Sequence, residues 1–332
     1  MSDINVLILS AGRRVELVKC FKKAAKDLDI SGSVIAVDCS PTAPALYFAD
    51  KYRLVPRIDS GDYIKALIEI CNEEKVSLVV PTIDTELLLL AENRKKMEDA
   101  TGARILVSSL SVVNICRNKL NTQSYMEEHG FKVPHLYTAQ EIRNGNAKYP
   151  LFVKPIDGSS SIDTYRVNDK TELDAILTLV KNPMVQDYMD GEEYTIDVFL
   201  DFDSNIITMV PRLRIATRSG EIMKGRIVKD ADIMADVRRL MEELKPVGHI
   251  TVQCRKTYRG IEYIEINPRF GGGAPMSIMA GADSCKNLYR LLRGEVLTYN
   301  EDYRENITFL RFDSCIMLNE DMVLEYEEGS NI

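Results

Sequence analysis

The stretch "IEYIEINPRFGGG", residues 261–273, alternates isoleucine with polar side chains and then passes through a proline and an arginine into three glycines. Successive side chains of an extended segment point to opposite faces, so the pattern predicts that Glu265 and Asn267 share one face while Ile264 and Ile266 turn to the other. Half-buried strands often alternate in this way. What separates this strand from an ordinary sheet edge must therefore come from the rest of the chain.

Working outward, the first 110 residues read as a strand–helix series. "NVLILS" (5–10), "SVIAVD" (33–38) and "LVVPT" (78–82) are the unbroken apolar runs of parallel strands covered on both faces. Between them Leu17, Phe21, Ala24 and Leu28, then Ile64, Leu67, Ile68 and Cys71, recur at helical spacing. The expectation is an open parallel α/β sheet, with "SAGRR" at the first strand's end, where such sheets bind ligands. A GxGxxG dinucleotide fingerprint is absent there.

From about residue 113 the grammar becomes α+β. A helix through "NKLNTQSYMEEHG" ends at Gly130, "YPLFVKP" (149–155) is a strand, and "DGSSS" (157–161) is a polar loop. Leu173, Ile176, Leu177 and Val180 mark a helix, strands flank Gly191, and further strands at 205–211, 249–254 and 261–267 enclose a helix carrying Met234, Val237, Met241 and Leu244. The acidic end after about 318 reads as a tail that is frayed or packed on the surface.

The 332 residues, 45% hydrophobic and 28% charged, suit a globular protein of two or three domains. A net charge of −8 argues against a general nucleic-acid binder. No apolar run is long enough to span a bilayer, and the N-terminus lacks a basic region ahead of its apolar stretch, which predicts a cytoplasmic protein without membrane contact. The 7 cysteines form no CxxC pair, and the 3 histidines are isolated, so neither a zinc site, a disulfide framework nor a Ser-His-Asp triad is indicated.

Candidate chemistry then gathers at four places. Lys154 ends an apolar strand, where a lysine calls for an anionic partner, and the hydroxyls of Ser159, Ser160 and Ser161 follow as donors suited to phosphate oxygens. Glu193, after the turn in "QDYMDGEEYTID", can accept two ribose hydroxyls. Glu265 and Asn267 offer oxygen ligands suited to Mg²⁺, and Gln253 adds a third if its strand pairs with theirs. Arg269 is a planar anion donor, and Gly271, Gly272 and Gly273 permit close backbone approach or an anion-binding nest.

Taken in order, Lys119, Lys154 with its serine loop, "QDYMDGEEYT" and "VQC…YIEINPRFGGG" resemble the ATP-grasp superfamily, nearest its carbamoyl-phosphate-synthase large-subunit-like members. "VVPTIDTELLLLAENR" (79–94) is similar to that group's pre-ATP-grasp region, and the resemblance covers residues 1–300. It implies a pre-ATP-grasp domain at 1–112, an ATP-grasp domain at 113–300 with a lid near 120–190, and a C-terminal extension at 301–332.

By the same resemblance, Lys119 and Lys154 hold ATP phosphates while Gln186, Asp187, Tyr188 and Met189 meet the adenine. Glu193 then takes the ribose, and Gln253, Glu265 and Asn267 bind Mg²⁺, with Mn²⁺ as a substitute. Many members carry Asp or Glu where this chain has Gln253, a weaker ligand, although the carbamoyl-phosphate-synthase branch resembles this chain there. Arg269, Arg212 and Lys154 are the candidates at the reacting groups, with Arg212 and Arg214 facing an acidic substrate.

The implied reaction activates a small carboxylate as an acyl phosphate for capture by an amine, in a chain compatible with a homodimer. A bicarbonate-using subunit with a partner and a non-catalytic ATP-binding module are the alternatives.

Overall fold

A computed structural model describes residues 3–157 and 162–327. Strands β1 (Asn5–Ile8), β2 (Val34–Asp38), β3 (Lys51–Leu54), β4 (Val76–Val80) and β5 (Arg104–Ile105) form a parallel sheet in the order β3-β2-β1-β4-β5. Helices α1 (Val15–Asp27), α2 (Tyr63–Glu73) and α3 (Asp84–Thr101) make the crossovers. The apolar runs are explained by burial on both faces: Val6 and Ile8 enter one core cluster, Leu7 and Leu9 the opposite one, all fully buried. Each such side chain contributes about 1.5–3 kcal/mol by leaving water.

The strand order reverses between β1 and β4, the crevice where open α/β sheets hold ligands. A buried carboxylate fixes this corner. Glu86 accepts hydrogen bonds from the Thr82 N–H at 2.9 Å, the Ser10 hydroxyl at 2.8 Å and the Tyr63 hydroxyl at 3.1 Å. The turns that carry Arg14 and Asp84 are thereby tied together.

Next come α4 (Leu110–Arg117), α5 (Lys119–Glu128) and α6 (Ala139–Arg143). The Asn118 side chain caps α5 by accepting from the Leu120 N–H at 2.9 Å, which places Lys119 at the helix start, and Gly130 takes φ +70° just beyond its end. A three-stranded sheet follows, ordered β7-β6-β8, from β6 (Leu151–Pro155), β7 (Tyr165–Val167) and β8 (Pro183–Asp187), with α7 (Lys170–Leu179) packed on it. Leu151, Val153, Val167 and Leu173 give it a core of its own.

The largest sheet is antiparallel, ordered β13-β12-β9-β10-β11-β14. It comprises β9 (Gly191–Leu200), β10 (Ile206–Arg218), β11 (Glu221–Ile227), β12 (Gly248–Thr257), β13 (Gly260–Asn267) and β14 (Thr308–Leu310). Helix α8 (Ala231–Leu244) packs with Ile196, Val198, Ile250, Val252 and Ile266 in one cluster. The residues between them, Thr195, Asp197, Thr251 and Gln253, lie on the other face. Helices α9 (Ala274–Ala280) and α10 (Ser284–Leu292) run under the first sheet, where Phe270, Ile278, Leu288 and Tyr289 share a cluster with Val6, Ile8 and Phe21. Strands β15 (Ile316–Leu318) and β16 (Leu324–Glu327) form a separate hairpin where a surface tail was expected.

One local expectation fails. Gln253 pairs with Glu265 and the next residue, Cys254, with Tyr263, so Ile264 is the extra residue of a β-bulge. The bulge turns Ile264 onto the same side as Glu265, and both line the cavity described next, while Ile266 stays in the core.

Candidate active site

A cleft lies against the polar face of the largest sheet, in two joined compartments. The narrower encloses about 160 Å³ and places Phe152, Ile162, Tyr188, Met189 and Ile264 around a slot suited to a flat base. The wider encloses about 830 Å³ and reaches the ends of β1 and β4 through Arg14 and Asp84. Lys119, Arg214, Gln253, Ile264 and Glu265 border both.

Lys154 is 6% exposed, and no described residue gives its ammonium a hydrogen bond or ion pair. Burial lowers its pKa to about 8; neighbouring Glu265 opposes that shift and Lys119 adds to it. Burying an uncompensated ammonium is costly, and an anion arriving in the cavity offsets that cost. Lys119 donates to the Ile156 carbonyl at 3.1 Å, and burial lowers its pKa as well. Ser159, Ser160 and Ser161 lie outside the described residues.

Gln253 and Asn267 both donate to the same oxygen of Glu265, at 2.8 and 2.9 Å. Among the described residues no three acidic, histidine or cysteine side chains are grouped so that they could hold a metal ion. A cation here therefore meets one carboxylate and two amides, a set that fits Mg²⁺ completing its shell with water and phosphate once the amide oxygens face it. Arg269 reaches Asp84 at 2.5 Å and the Asn267 side-chain oxygen at 3.3 Å, which links the two largest sheets, and its Nε–H is buried without an acceptor.

Glu193 lies between two arginines. Arg255 donates to it at 2.8 Å, and Arg214 Nε stands 2.9 Å away at an angle that makes no hydrogen bond, leaving that buried N–H unsatisfied. A carboxylate has about four acceptor positions, so ribose hydroxyls can still be accepted. Of the expected adenine segment, Tyr188 and Met189 line the narrow compartment. Gln186 is buried and donates to Gln123, while Asp187 accepts from Tyr137 and Arg259. Neither side chain lines the cavity: the amide N–H of Gln186 and the carboxylate of Asp187 are engaged by protein partners, while the Gln186 side-chain oxygen is buried without one.

Arg212 is 1% exposed and donates bidentately to Asp197 at 2.8 and 3.0 Å, so its charge is largely committed within the protein rather than free for an acidic substrate. Burial alone would raise the Asp197 pKa, but Arg212 holds the carboxyl far below the usual range. Ser277 and Thr251 also donate to Asp197, at 2.5 and 3.4 Å. Arg212 reaches the wide compartment through Nη1, beside Gly273. Asp197, Asp84, Glu221 and Arg255 were not among the expected site residues, since nothing in their sequence neighbourhoods indicates partners so far along the chain; Arg14 fell within "SAGRR" at the expected ligand end of the first strand, but its partner Glu221, 207 positions away, was not legible.

Residues 6–105 match the family model described as PylC-like, N-terminal domain, and residues 180–313 match that of the ATP-grasp in the biosynthetic pathway with Ter operon. The second match is to an ATP-grasp domain, and the chain is similar to ATP-grasp proteins. D-Alanine–D-alanine ligase of Bacillus anthracis is 24% identical over 241 residues, 67% of this chain and 77% of that protein. The biotin carboxylase domain of Hydrogenobacter thermophilus 2-oxoglutarate carboxylase, solved as a dimer with MgADP and bicarbonate, superposes with TM-score 0.72 at 16% identity, covering 93% of this chain and 74% of that one. N5-carboxyaminoimidazole synthetase from Staphylococcus aureus with ADP gives TM-score 0.70 at 17% identity, over 90% of this chain and 80% of that one. No helix among the described residues is long and apolar enough to cross a membrane.

Proposed function

We propose that this protein is an ATP-dependent ligase that activates a small carboxylate as an acyl phosphate and joins it to an amine. The observation that carries the reading is Lys154, a buried ammonium with no described partner, beside Lys119 and Glu265 at the junction of the apolar slot and the polar compartment. Tyr188, Met189, Phe152 and Ile264 enclose the base, Glu193 takes ribose hydroxyls, and Lys154 and Lys119 offset the charge of the phosphates. Gln253, Glu265 and Asn267 would hold Mg²⁺, or Mn²⁺ in its place, which supplies charge neutralisation at the β- and γ-phosphates.

In the first step a carboxylate oxygen attacks the γ-phosphorus, the bond to the bridging oxygen breaks, and ADP leaves with the electron pair. An amine nitrogen then attacks the acyl carbon, phosphate departs and the amine loses a proton. Arg269, oriented by Asp84 and Asn267, faces this region with a buried N–H ready for a developing oxyanion. No side-chain nucleophile is required. A cytoplasmic location and a homodimer belong to the same proposal; the 7 cysteines, all free thiols, accord with a reducing compartment.

The test is a screen of carboxylates with MgATP and hydroxylamine, which captures any acyl phosphate as a hydroxamate. Hydroxamate with stoichiometric ADP supports the ligase. Tight ATP binding without turnover across acids and amines would instead favour a non-catalytic module.

A further inference from the structure

At the end of the wide compartment bordered by the first sheet, Arg14 lies against the glycine run. A Cβ on Gly272 would come within 2.7 Å of Arg14 Nη1 and 2.9 Å of Glu221 Oε1. Arg14 Nη1 is 3.3 Å from Glu221 Oε1, and the second oxygen of Glu221 accepts from Arg311 at 3.1 Å. Arg311 is held in place: its N–H donates to the Met223 carbonyl at 2.8 Å and its guanidinium to the Ile222 carbonyl at 2.9 Å, because β14 pairs with β11. One carboxylate is thus shared between two guanidiniums.

The neighbouring arginines do not absorb the excess. Arg212 is matched by Asp197 and Arg269 by Asp84. Around Gly271–Gly273 stand Arg14, Arg212, Arg269 and Arg311 against Asp84, Asp197 and Glu221, and beyond them Arg13 and Arg218 share Asp313, so arginines outnumber carboxylates throughout this corner. Arg14 is the arginine of the Glu221 group that lines the compartment, and burial together with Arg269 disfavours its charge. An anion placed against Arg14 and Gly272 reduces that imbalance, with Arg311 keeping Glu221 from claiming Arg14 alone.

We infer that the carboxylate substrate carries a second acidic group, a further carboxylate or a phosphate, which docks on Arg14 over Gly272 while its first carboxylate faces the γ-phosphate. Arg14 is then a specificity residue, Arg311 a positioning residue, and the C-terminal segment part of the substrate site. This rests on the acyl-phosphate reading for the reaction, and on geometry alone for the anion site.

The experiment has two arms. With hydroxylamine as acceptor, monocarboxylic, dicarboxylic and phosphate-bearing carboxylic acids of matched length are compared in the full-length protein. Acids with a second acidic group should show KM values lower by about tenfold or more, and Arg14→Leu should abolish that preference, with Arg311→Leu weakening it. Which of the two acid classes wins identifies the docked group. Equal turnover of monocarboxylic acids would overturn the inference. In the second arm the nucleotide site is saturated with a non-hydrolysable ATP analogue and Mg²⁺, and inorganic phosphate is titrated by calorimetry. Binding by the wild type that Arg14→Leu loses, with ATP-analogue affinity and melting temperature retained, supports the subsite. Absent binding, or binding unchanged in Arg14→Leu, overturns it even when no acid in the panel yields hydroxamate, an outcome that would count separately against the ligase reading.

Discussion

Lys154 concentrates the energetic conflict of the site in one side chain. Its pKa of about 8 in the folded chain is below the ordinary lysine value of 10.5, so the folded state binds fewer protons than the unfolded state between those limits. The buried charge therefore costs stability most fully below pH 8, and the cost is relieved as pH rises toward 10.5. Lys154→Met is expected to raise the melting temperature near neutral pH, with its advantage over wild type shrinking in alkaline buffer; scanning calorimetry of both proteins across pH checks this. Phosphates should restore the proton. Calorimetry in buffers of different ionisation enthalpy should show proton uptake on ATP-analogue binding above pH 8, little at about pH 6.5, and a smaller uptake in Lys154→Met, where Lys119 alone remains. A lysine ending an apolar strand was visible in the sequence, as were Glu265, Asn267 and Arg269. The partner of Arg269 was not: Asp84 is 185 positions away, and a charged residue's local sequence carries no record of such a pairing. For the same reason Arg212 looked available for substrate when Asp197 already holds it.

Among elements, β13 shows both the reach and the limit of reading periodicity. Alternation correctly separated Glu265 from Ile266 but placed Ile264 on the wrong side, because one unpaired residue in a bulge shifts the register without any signature in composition. The two isoleucines should respond differently. Ile266→Ala, in the core, is expected to cost about 2–5 kcal/mol in denaturant unfolding. Ile264→Ala should cost little stability and weaken ATP-analogue binding instead. The glycines divide similarly. A Cβ at Gly273 would press on the buried Arg212 guanidinium at 2.6 Å, whereas at Gly272 it meets the tips of Arg14 and Glu221, which can move. Gly273→Ala should therefore lower the melting temperature, and Gly272→Ala should retain the fold while impairing substrate KM. The parallel strands and long amphipathic helices were legible because each is a continuous local pattern. The hairpin of β15 and β16 was not, since its few apolar residues sit in an acidic stretch that reads as a tail.

For the whole molecule, the decisive arrangement is the core shared by the first sheet with α9 and α10. Val6, Ile8 and Phe21 pack in one cluster with Phe270, Ile278, Leu288 and Tyr289, and this fixes Arg14 and Asp84 against the glycine run and Arg269. A boundary at 112/113, natural from the change in sequence grammar, would cut through the packing that assembles the site. A fragment of residues 113–332 is expected to aggregate or to bind hydrophobic dyes, while the full chain does neither; a soluble fragment with cooperative melting would refute the structural role given to this core. The central claim concerns the reaction that the assembled site performs, and oxygen transfer tests it most directly. With a turned-over substrate labelled with ¹⁸O in its carboxylate, passage through an acyl phosphate delivers one labelled oxygen to inorganic phosphate in each turnover, read by mass spectrometry or by the ³¹P isotope shift. Retention of all the label in the product would contradict the account.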